Sequence, residues 1–77
     1  MDYRDLISAD ANVCHGQPCI RGTRIMVWLI VQLLANGDSV DDVLVGYPSI
    51  SRQQVQACLA FAADALRERV LPMEVAA

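Results

Sequence analysis

Residues 39–69 decide the fold of this chain and read SVDDVLVGYPSISRQQVQACLAFAADALRER. A serine, one of the residue types that commonly cap helix N-termini, stands before each of two predicted helices. Ser39 precedes a short helix over residues 40–45, and Ser51 precedes a longer helix over residues 52–69. The turn between the two helices contains a glycine and a proline and is longer than the turn of about three or four residues in an ordinary helix-turn-helix.

Both predicted helices carry further N-terminal signals. Asp41 and Asp42 lie in the first turn of the short helix, where carboxylates interact favourably with the helix dipole. Gln54 stands three residues after Ser51 and completes a capping-box pattern at the start of the longer helix. These signals fix where each helix begins.

The longer helix has an apolar face that is wider than one partner helix requires. Two stripes with helical spacing form this face. The first stripe contains Val55, Leu59, Ala62, Leu66 and Val70, and the second contains Cys58, Phe61 and Ala65. We expect the second stripe to contribute to an interface with another chain.

A third helix is predicted upstream, over residues 26–36 with the sequence MVWLIVQLLAN, and Gly37 follows it as a typical C-terminal glycine. This helix is apolar on nearly all sides, so most of its sides must be covered. A chain of 77 residues has too few elements to cover it alone. We therefore predict a homodimer whose interface includes Trp28, Val31, Leu34 and Phe61.

The N-terminal third of the chain lacks helical periodicity and predicts an extended arm. Short extended pieces flank Gly22 and Thr23, which predicts a tight hairpin or bend because glycine tolerates a positive φ. We predict one domain over residues 1–77. It comprises an extended or hairpin arm (1–25), a helical helix-turn-helix unit (26–70) and a tail (71–77).

The composition is that of a folded domain. Hydrophobic residues make up 55% of the chain and charged residues 19%, which excludes intrinsic disorder. The longest apolar run, residues 25–31, is far shorter than the roughly 20 residues needed to cross a bilayer. Three cysteines cannot all pair within one chain, and the acidic residues 1–10 do not resemble a signal peptide. We therefore expect a cytoplasmic protein with reduced thiols.

Patterns for catalysis and metal binding are weak. Cys14, His15 and Cys19 suggest a metal site at first, but zinc needs four ligands and no second ligand pair follows. Adjacent residues on an extended chain point to opposite faces, which argues against a Cys14–His15 nucleophile. The sequence also has no paired carboxylates at catalytic spacing and no phosphate-binding glycine loop. We expect no enzyme activity, no metal and no cofactor.

The start of the longer helix offers candidate DNA contacts. In a helix-turn-helix unit, the N-terminal turn of the last helix faces the major groove. The side chains predicted to be exposed there are Arg52, Gln53 and Gln56, which can form hydrogen bonds with base edges. The same side chains also fit an ordinary solvated helix face. The net charge of −3 gives DNA binding no support.

The arm offers a second candidate contact surface, formed by Arg21, Thr23 and Arg24. No acidic residue occurs between residues 11 and 37, and two guanidiniums around a glycine bend can grip a phosphate or a carboxylate cluster. In the alternative interpretation, the two arginines hold the hairpin by salt bridges with Asp5, Asp10 or Asp38. The residues alone leave both interpretations open.

The arm and the helices together resemble a known family. Residues 14–25 read CHGQPCIRGTRI and resemble the signature of a small bacterial family called domain of unknown function 433. The resemblance extends over roughly residues 5–65 and includes the stretches NGDSVDDV, GYPSI, QV and AFA. Two positions depart from the family pattern. Met26 stands where proline is frequent, which is expected to affect only how the first helix begins. His15 stands where many members have glycine, so that turn is expected to differ slightly in backbone conformation.

The resemblance implies a mostly helical fold, in which a three-helix homeodomain-like helix-turn-helix follows a short β-hairpin or extended strands. It also implies a dimeric antitoxin of a type II toxin–antitoxin pair, with a PIN-like ribonuclease toxin and promoter DNA as partners. The alternative is a non-enzymatic interaction or adaptor module that binds no DNA, which the acidic composition favours.

Overall fold

The computed structural model of the chain describes residues 2–12 and 14–68. Two strands and three helices occur in these residues: β1 (Ile7–Ser8), β2 (Cys19–Ile20), α1 (Val27–Ala35), α2 (Val40–Gly46) and α3 (Arg52–Arg67). Single 3-10 turns at Tyr3–Asp5, here called the N-terminal turn, and at Cys14–Gly16 complete the arm. This architecture confirms the predicted mostly helical fold, in which a short antiparallel hairpin precedes three helices.

The helix α1 is one residue shorter at each end than predicted. Met26 has extended backbone (φ −74°, ψ 142°) and serves as the N-cap residue, because it forms an antiparallel bridge with Cys19. Asn36 is the C-cap residue, and Gly37 follows with φ 104°, a conformation that favours glycine. The predicted C-terminal glycine is therefore confirmed.

Capping boxes begin both α2 and α3. The Ser51 hydroxyl accepts a hydrogen bond from the Gln54 amide nitrogen at 3.3 Å, and the Gln54 side chain accepts one from the Ser51 nitrogen at 2.7 Å. Ser39 and Asp42 form the same pair of bonds at the start of α2. These bonds to Ser39 lower the pKa of the Asp42 carboxyl. The predicted starts of both helices are confirmed.

The C-terminal ends of these helices differ from the prediction by small amounts. The helix α2 ends at Gly46, one residue later than predicted. The helix α3 ends at Arg67 with Glu68 as its C-cap residue, before the predicted end at Arg69. Residue 69, the stripe residue Val70 at the predicted end of the helical unit, and the predicted tail, 71–77, lie outside the described residues.

The predicted hairpin or bend at Gly22 is confirmed, and the sheet also contains a strand, β1, that was not predicted. Gly22 has φ 81°, and the Thr23 nitrogen donates a hydrogen bond to the Ile20 carbonyl at 2.9 Å. The residues on either side of the turn pair with each other, through the bridge between Cys19 and Met26 and through a hydrogen bond from the Ile20 nitrogen to the Ile25 carbonyl at 2.9 Å. In addition, β2 pairs with β1, with Ile20 opposite Ile7. A strand of two residues is too short to show alternating polarity, and so the sequence did not reveal β1.

The core lies between the hairpin and the three helices. Helix α1 packs mainly on α3, and α2 packs against both. The buried core cluster consists of Ile7, Ile20, Val27, Ile30, Val43, Ile50, Val55, Ala57 and Cys58. Among the described residues, no helix is long and apolar enough to cross a membrane.

The second 3-10 turn of the arm, Cys14–Gly16, has left-handed backbone at all three residues. The φ angles of Cys14, His15 and Gly16 are 52°, 55° and 79°. Left-handed backbone favours glycine, so His15 adopts here a conformation that glycine takes with less strain. Cys14 is buried there, whereas His15 is exposed.

Candidate functional site

The residues predicted to read DNA are exposed at the start of α3, but one of them is already engaged. The Arg52 guanidinium forms an ion pair with the Asp41 carboxylate on α2. Gln53 and Gln56 lie beside the N-terminal turn and line a shallow cavity of about 350 Å³. The three side chains therefore share one end of α3, and a neighbouring acid balances the charge of Arg52.

The N-terminal turn is fastened to α3 through Tyr3. The Tyr3 hydroxyl donates a hydrogen bond of 2.6 Å to the Asp64 carboxylate, and its ring meets Phe61 edge-on at 6.1 Å between centroids. The hydrogen bond to Asp64 raises the pKa of the Tyr3 hydroxyl, and desolvation adds to the shift. No local pattern indicates this contact, because residues 3 and 64 are 61 positions apart.

Arg21 braces the arm through backbone carbonyls rather than through carboxylates. Its guanidinium donates hydrogen bonds to the carbonyl oxygens of Asp5 at 3.0 Å, Arg4 at 3.3 Å and Ile7 at 3.0 Å. The guanidinium thus joins the turn after β2 to the N-terminal turn and β1. Bracing was one of the two sequence-based interpretations of Arg21, although its expected partners were acidic side chains.

Thr23 and Arg24 stand on the same turn with different surroundings. The Thr23 hydroxyl donates to the Ile20 carbonyl at 2.7 Å and accepts from the Ile25 nitrogen at 3.0 Å, so its bonds are local to the turn. Arg24 is exposed, and its guanidinium forms no hydrogen bond or ion pair with residues 2–12 or 14–68. A cavity of about 520 Å³ lies beside these residues, walled by Ser8, Asp10, Arg21, Gly22, Thr23 and Arg24.

Unlike Arg24, each of the four other described arginines has a hydrogen-bond or ion-pair partner. Arg4 pairs with Asp2 at 3.3 Å, Arg67 pairs with Asp64 at 2.9 Å, and Arg52 pairs with Asp41. Arg21 is engaged by the three carbonyls described above. Within the described part of the chain, Arg24 therefore carries the one guanidinium that forms neither a hydrogen bond nor an ion pair, although its charge acts on the Cys14 thiol.

An apolar groove of about 450 Å³ runs between α1 and α3. Trp28, which is 56% exposed, stands on its rim, and Val31 and Phe61 line its walls. The remaining walls contain no charged residue and consist of Gln17, Pro18, Val27, Gln32, Ala35, Ala62, Ala65 and Leu66. Three of the four predicted interface residues, Trp28, Val31 and Phe61, therefore lie together at the groove. The fourth, Leu34, is partly buried against the core.

The expected roles of the two apolar stripes on α3 require a correction. Cys58, assigned to the interface stripe, is fully buried in the core of its own chain. Leu59 and Leu66, assigned to the other stripe, are 40% and 58% exposed. The hairpin and the N-terminal turn pack against a side of α3 that was predicted to be exposed. The exposed face of α3 is therefore a different one and contains Leu59, Ala63 and Leu66.

The three cysteines are buried and free. Burial raises the pKa of the Cys58 thiol to about 11, and it also raises the pKa of the Cys14 thiol, with Cys19 contributing. The Cys19 thiol lies 3.7 Å from the Ser8 hydroxyl. Among the described residues, no group of three or more His, Cys, Asp or Glu side chains could hold a metal ion. The thiols thus belong to the packed interior.

The fold and these surfaces define a small helical domain whose hairpin arm packs against the helices, and comparison with known proteins places it in a family. The sequence model of DUF433, described as a protein of unknown function, matches residues 7–62, and the chain belongs to this family. It is similar to the crystal structure of a DUF433 member from Anabaena variabilis ATCC 29413, with 28% identity and a TM-score of 0.77. That match covers 84% of this chain and 64% of the Anabaena chain.

A second relative is a protein of Sinorhizobium fredii (strain NBRC 101917 / NGR234) named "Uncharacterized protein y4eO". The two are 30% identical over 67 residues, which make up 86% of this chain. The match covers 30% of the length of the Sinorhizobium protein. The family resemblance seen in the sequence is therefore confirmed.

Proposed function

We propose that this protein is an antitoxin of a type II toxin–antitoxin pair. In this proposal it is a non-enzymatic homodimer that neutralises a PIN-like ribonuclease toxin and binds promoter DNA through α2 and α3. The family resemblance suggests the class of partner. The observation that carries the proposal is the exposed Arg24 guanidinium, which lacks a partner among the described residues.

The chemistry of Arg24 suits a toxin with clustered carboxylates. A guanidinium forms paired, charge-assisted hydrogen bonds with a carboxylate, and its planar fork matches the carboxylate geometry. A PIN-like ribonuclease offers the metal-binding carboxylates of its active site. Arg21 supports the contact indirectly, because its bonds to the carbonyls of residues 4, 5 and 7 hold the turn on which Arg24 stands.

Inhibition of RNA cleavage tests the toxin-binding part of the proposal. A PIN-like ribonuclease loaded with Mg²⁺ is titrated with the wild-type chain, with Arg24→Gln and with Arg67→Gln. We expect Arg24→Gln to weaken inhibition at least tenfold and Arg67→Gln to leave it within about twofold, because Arg67 already pairs with Asp64 on α3. Equal inhibition by both variants would exclude Arg24 as the contact. A wild-type chain that does not inhibit would remove the antitoxin function.

The DNA-binding part of the proposal rests on the position of Arg52 at the start of α3. A bidentate contact between Arg52 and a base requires that its guanidinium leaves Asp41. Loss of such a contact in Arg52→Ala would cost about 1–3 kcal/mol, or roughly 5- to 150-fold in affinity. Asp41→Asn, which frees the guanidinium and removes a negative charge near the DNA, should instead tighten binding.

A second candidate function is an interaction or adaptor module that binds no DNA. The pairing of Arg4, Arg52 and Arg67 with carboxylates favours it, because each described arginine on or beside α3 is then already neutralised. Fluorescence anisotropy with a labelled fragment of the native promoter, measured between 50 and 200 mM salt, separates the two functions. Salt-dependent binding that responds to the Arg52 and Asp41 variants supports the antitoxin, and no binding supports the adaptor.

A further inference from the structure

The cavity beside the turn at residues 21–24, here called the turn cavity, has a polar wall. Its volume of about 520 Å³ falls in the range of about 300–1,000 Å³ that is typical of small-molecule sites. The described residues give its wall no aromatic and no purely apolar side chain, only Ser8, Asp10, Arg21, Gly22, Thr23 and Arg24. The occupant must therefore be hydrophilic, because such a wall offers no apolar surface to an apolar group.

The turn holds hydrogen-bond donors that no described residue uses. Arg21 donates to the backbone carbonyls of the arm through Nε and Nη2, which leaves Nη1 without an acceptor in residues 2–12 and 14–68. The whole Arg24 guanidinium lacks an acceptor in the same residues, as do the backbone nitrogens of Gly22 and Arg24. Two positive charges and these donors favour an oxyanion as the group that meets the turn.

A phosphate group suits these donors better than a carboxylate does. One guanidinium fork is enough for the two oxygens of a carboxylate. A phosphomonoester presents three terminal oxygens and carries a charge of about −1.5 to −2 near pH 7, so it can accept from Arg21 and Arg24 together. The three carbonyl bonds of Arg21 already hold its guanidinium in place, which reduces the entropy lost on binding.

Asp10 sets a second requirement for the occupant. Its carboxylate lines the turn cavity, accepts a hydrogen bond from the Asn12 nitrogen at 2.8 Å through Oδ1, and forms an ion pair with none of the described arginines. An ionised carboxylate repels a bare anion, but it accepts hydrogen bonds from hydroxyl groups. The occupant is therefore expected to carry its phosphate on a part that bears hydroxyls.

We infer that the turn cavity binds a small phosphomonoester of a polyhydroxylated molecule, the class to which sugar phosphates belong. The phosphate lies between the guanidiniums of Arg21 and Arg24, and a hydroxyl donates to Asp10. This inference deepens the proposed function, because the ligand would occupy Arg24 and exclude a toxin carboxylate from it. Only this competition rests on the proposed function, whereas the binding of the ligand does not.

Titration of the full chain with ribose 5-phosphate, followed by heteronuclear NMR at constant ionic strength, tests the site without toxin or DNA. We expect saturable shifts at residues 8–10 and 21–24, and binding to Arg24→Gln that is at least about tenfold weaker. Arg67→Gln is the matched control and should bind within about twofold of the wild type, because Arg67 pairs with Asp64 and does not line the turn cavity. No saturable binding, or equal binding by the two variants, would overturn the inference.

The Asp10→Ala variant tests the class of ligand by comparison with inorganic phosphate. Both probes lose the same repulsion in this variant, but only ribose 5-phosphate loses a hydrogen-bond acceptor. The preference for ribose 5-phosphate over inorganic phosphate should therefore fall by about three- to tenfold. An unchanged preference would overturn the sugar-phosphate class. A random-sequence DNA duplex that binds through Arg24, in a chain that does not bind ribose 5-phosphate, would assign the turn to the DNA backbone instead.

The ribonuclease assay separates this inference from the proposed function. Saturating ribose 5-phosphate should weaken inhibition by the wild-type chain and leave the ribonuclease alone unaffected. A chain that binds ribose 5-phosphate but inhibits no ribonuclease would retain this site and refute the proposed function. A chain that inhibits the ribonuclease but does not bind ribose 5-phosphate would retain the proposed function and refute the site. Binding without any change in inhibition would overturn the competition at Arg24.

Discussion

Replacement of Arg21 by glutamine should destabilise the fold more than the same replacement of Arg24, although the two arginines stand three residues apart. The Arg21 guanidinium donates three hydrogen bonds to carbonyl oxygens in the N-terminal turn and β1. Hydrogen bonds from a charged donor contribute up to about 1.5–3 kcal/mol when buried and much less when exposed. Arg24 has no partner of this kind within the described part of the chain.

The expected magnitude follows from the exposure of the three bonds. The bond to the Ile7 carbonyl is partly buried and should contribute about 1.5 kcal/mol, whereas those to Arg4 and Asp5 are exposed and should contribute about 0.5 kcal/mol each. The free energy of unfolding should therefore fall by about 2–3 kcal/mol. For a domain of this size, that lowers Tm by roughly 10–20 °C. Arg24→Gln should change the free energy of unfolding by less than about 0.5 kcal/mol.

Urea unfolding followed by far-ultraviolet circular dichroism measures both variants, and calorimetry provides Tm. Unfolding midpoints that move equally for Arg21→Gln and Arg24→Gln would refute the reasoning, because the two substitutions remove the same charge from the same turn. If the unfolding midpoint fell only in Arg24→Gln, Arg24 rather than Arg21 would be the residue that stabilises the fold. A changed m-value would indicate a different denatured state and would call for comparison of the unfolding rates.

Three further predictions concern the caps, the N-terminal turn and the buried thiols. Ser51→Ala should lower the free energy of unfolding by about 1 kcal/mol, because it removes the N-cap of α3; an unchanged Tm would contradict this. The raised pKa of Tyr3 implies stabilisation that is complete below the unfolded value of 10.0 and is lost as pH rises through the folded pKa. Tm should therefore fall more steeply above pH 10 in the wild type than in Tyr3→Phe, and parallel profiles would exclude the Asp64 bond as the cause. Because the pKa of Cys58 is about 11 and the thiol is buried, iodoacetamide at pH 8 should alkylate it only when the chain opens. Mass spectrometry of native protein should then show no fast modification at Cys58.

The helices could be predicted because their signals are local. Ser39 and Ser51 each act within one turn of their own helix, and Gly37 marks the end of α1 through its own backbone. Such signals need no knowledge of the rest of the chain. The strand β1 could not be predicted, because two residues show no periodicity and its partner β2 lies a dozen residues further along.

The candidate site was less predictable, because its features depend on contacts between distant residues. The sequence identified Arg21 and Arg24 as a pair but could not show that backbone carbonyls engage only the first. It named Arg52 as a DNA contact without indicating the ion pair with Asp41. The prediction of the exposed face of α3 was wrong, because a helical stripe does not reveal which side of the helix another element will cover. Here Tyr3 attaches the N-terminal turn to α3 through its contacts with Asp64 and Phe61.

The bond between Tyr3 and Asp64 has a consequence for the order in which the chain is made. Tyr3 leaves the ribosome before its partner Asp64, which is 61 positions further along. At about 5–20 residues per second, that partner follows roughly 3–12 s later. Until then, the arm lacks the helix surface to which Tyr3 attaches, and nascent chains are exposed to proteases during this interval. A late contact of this kind makes the arm one of the last parts of the newly made chain to become protected from proteolysis.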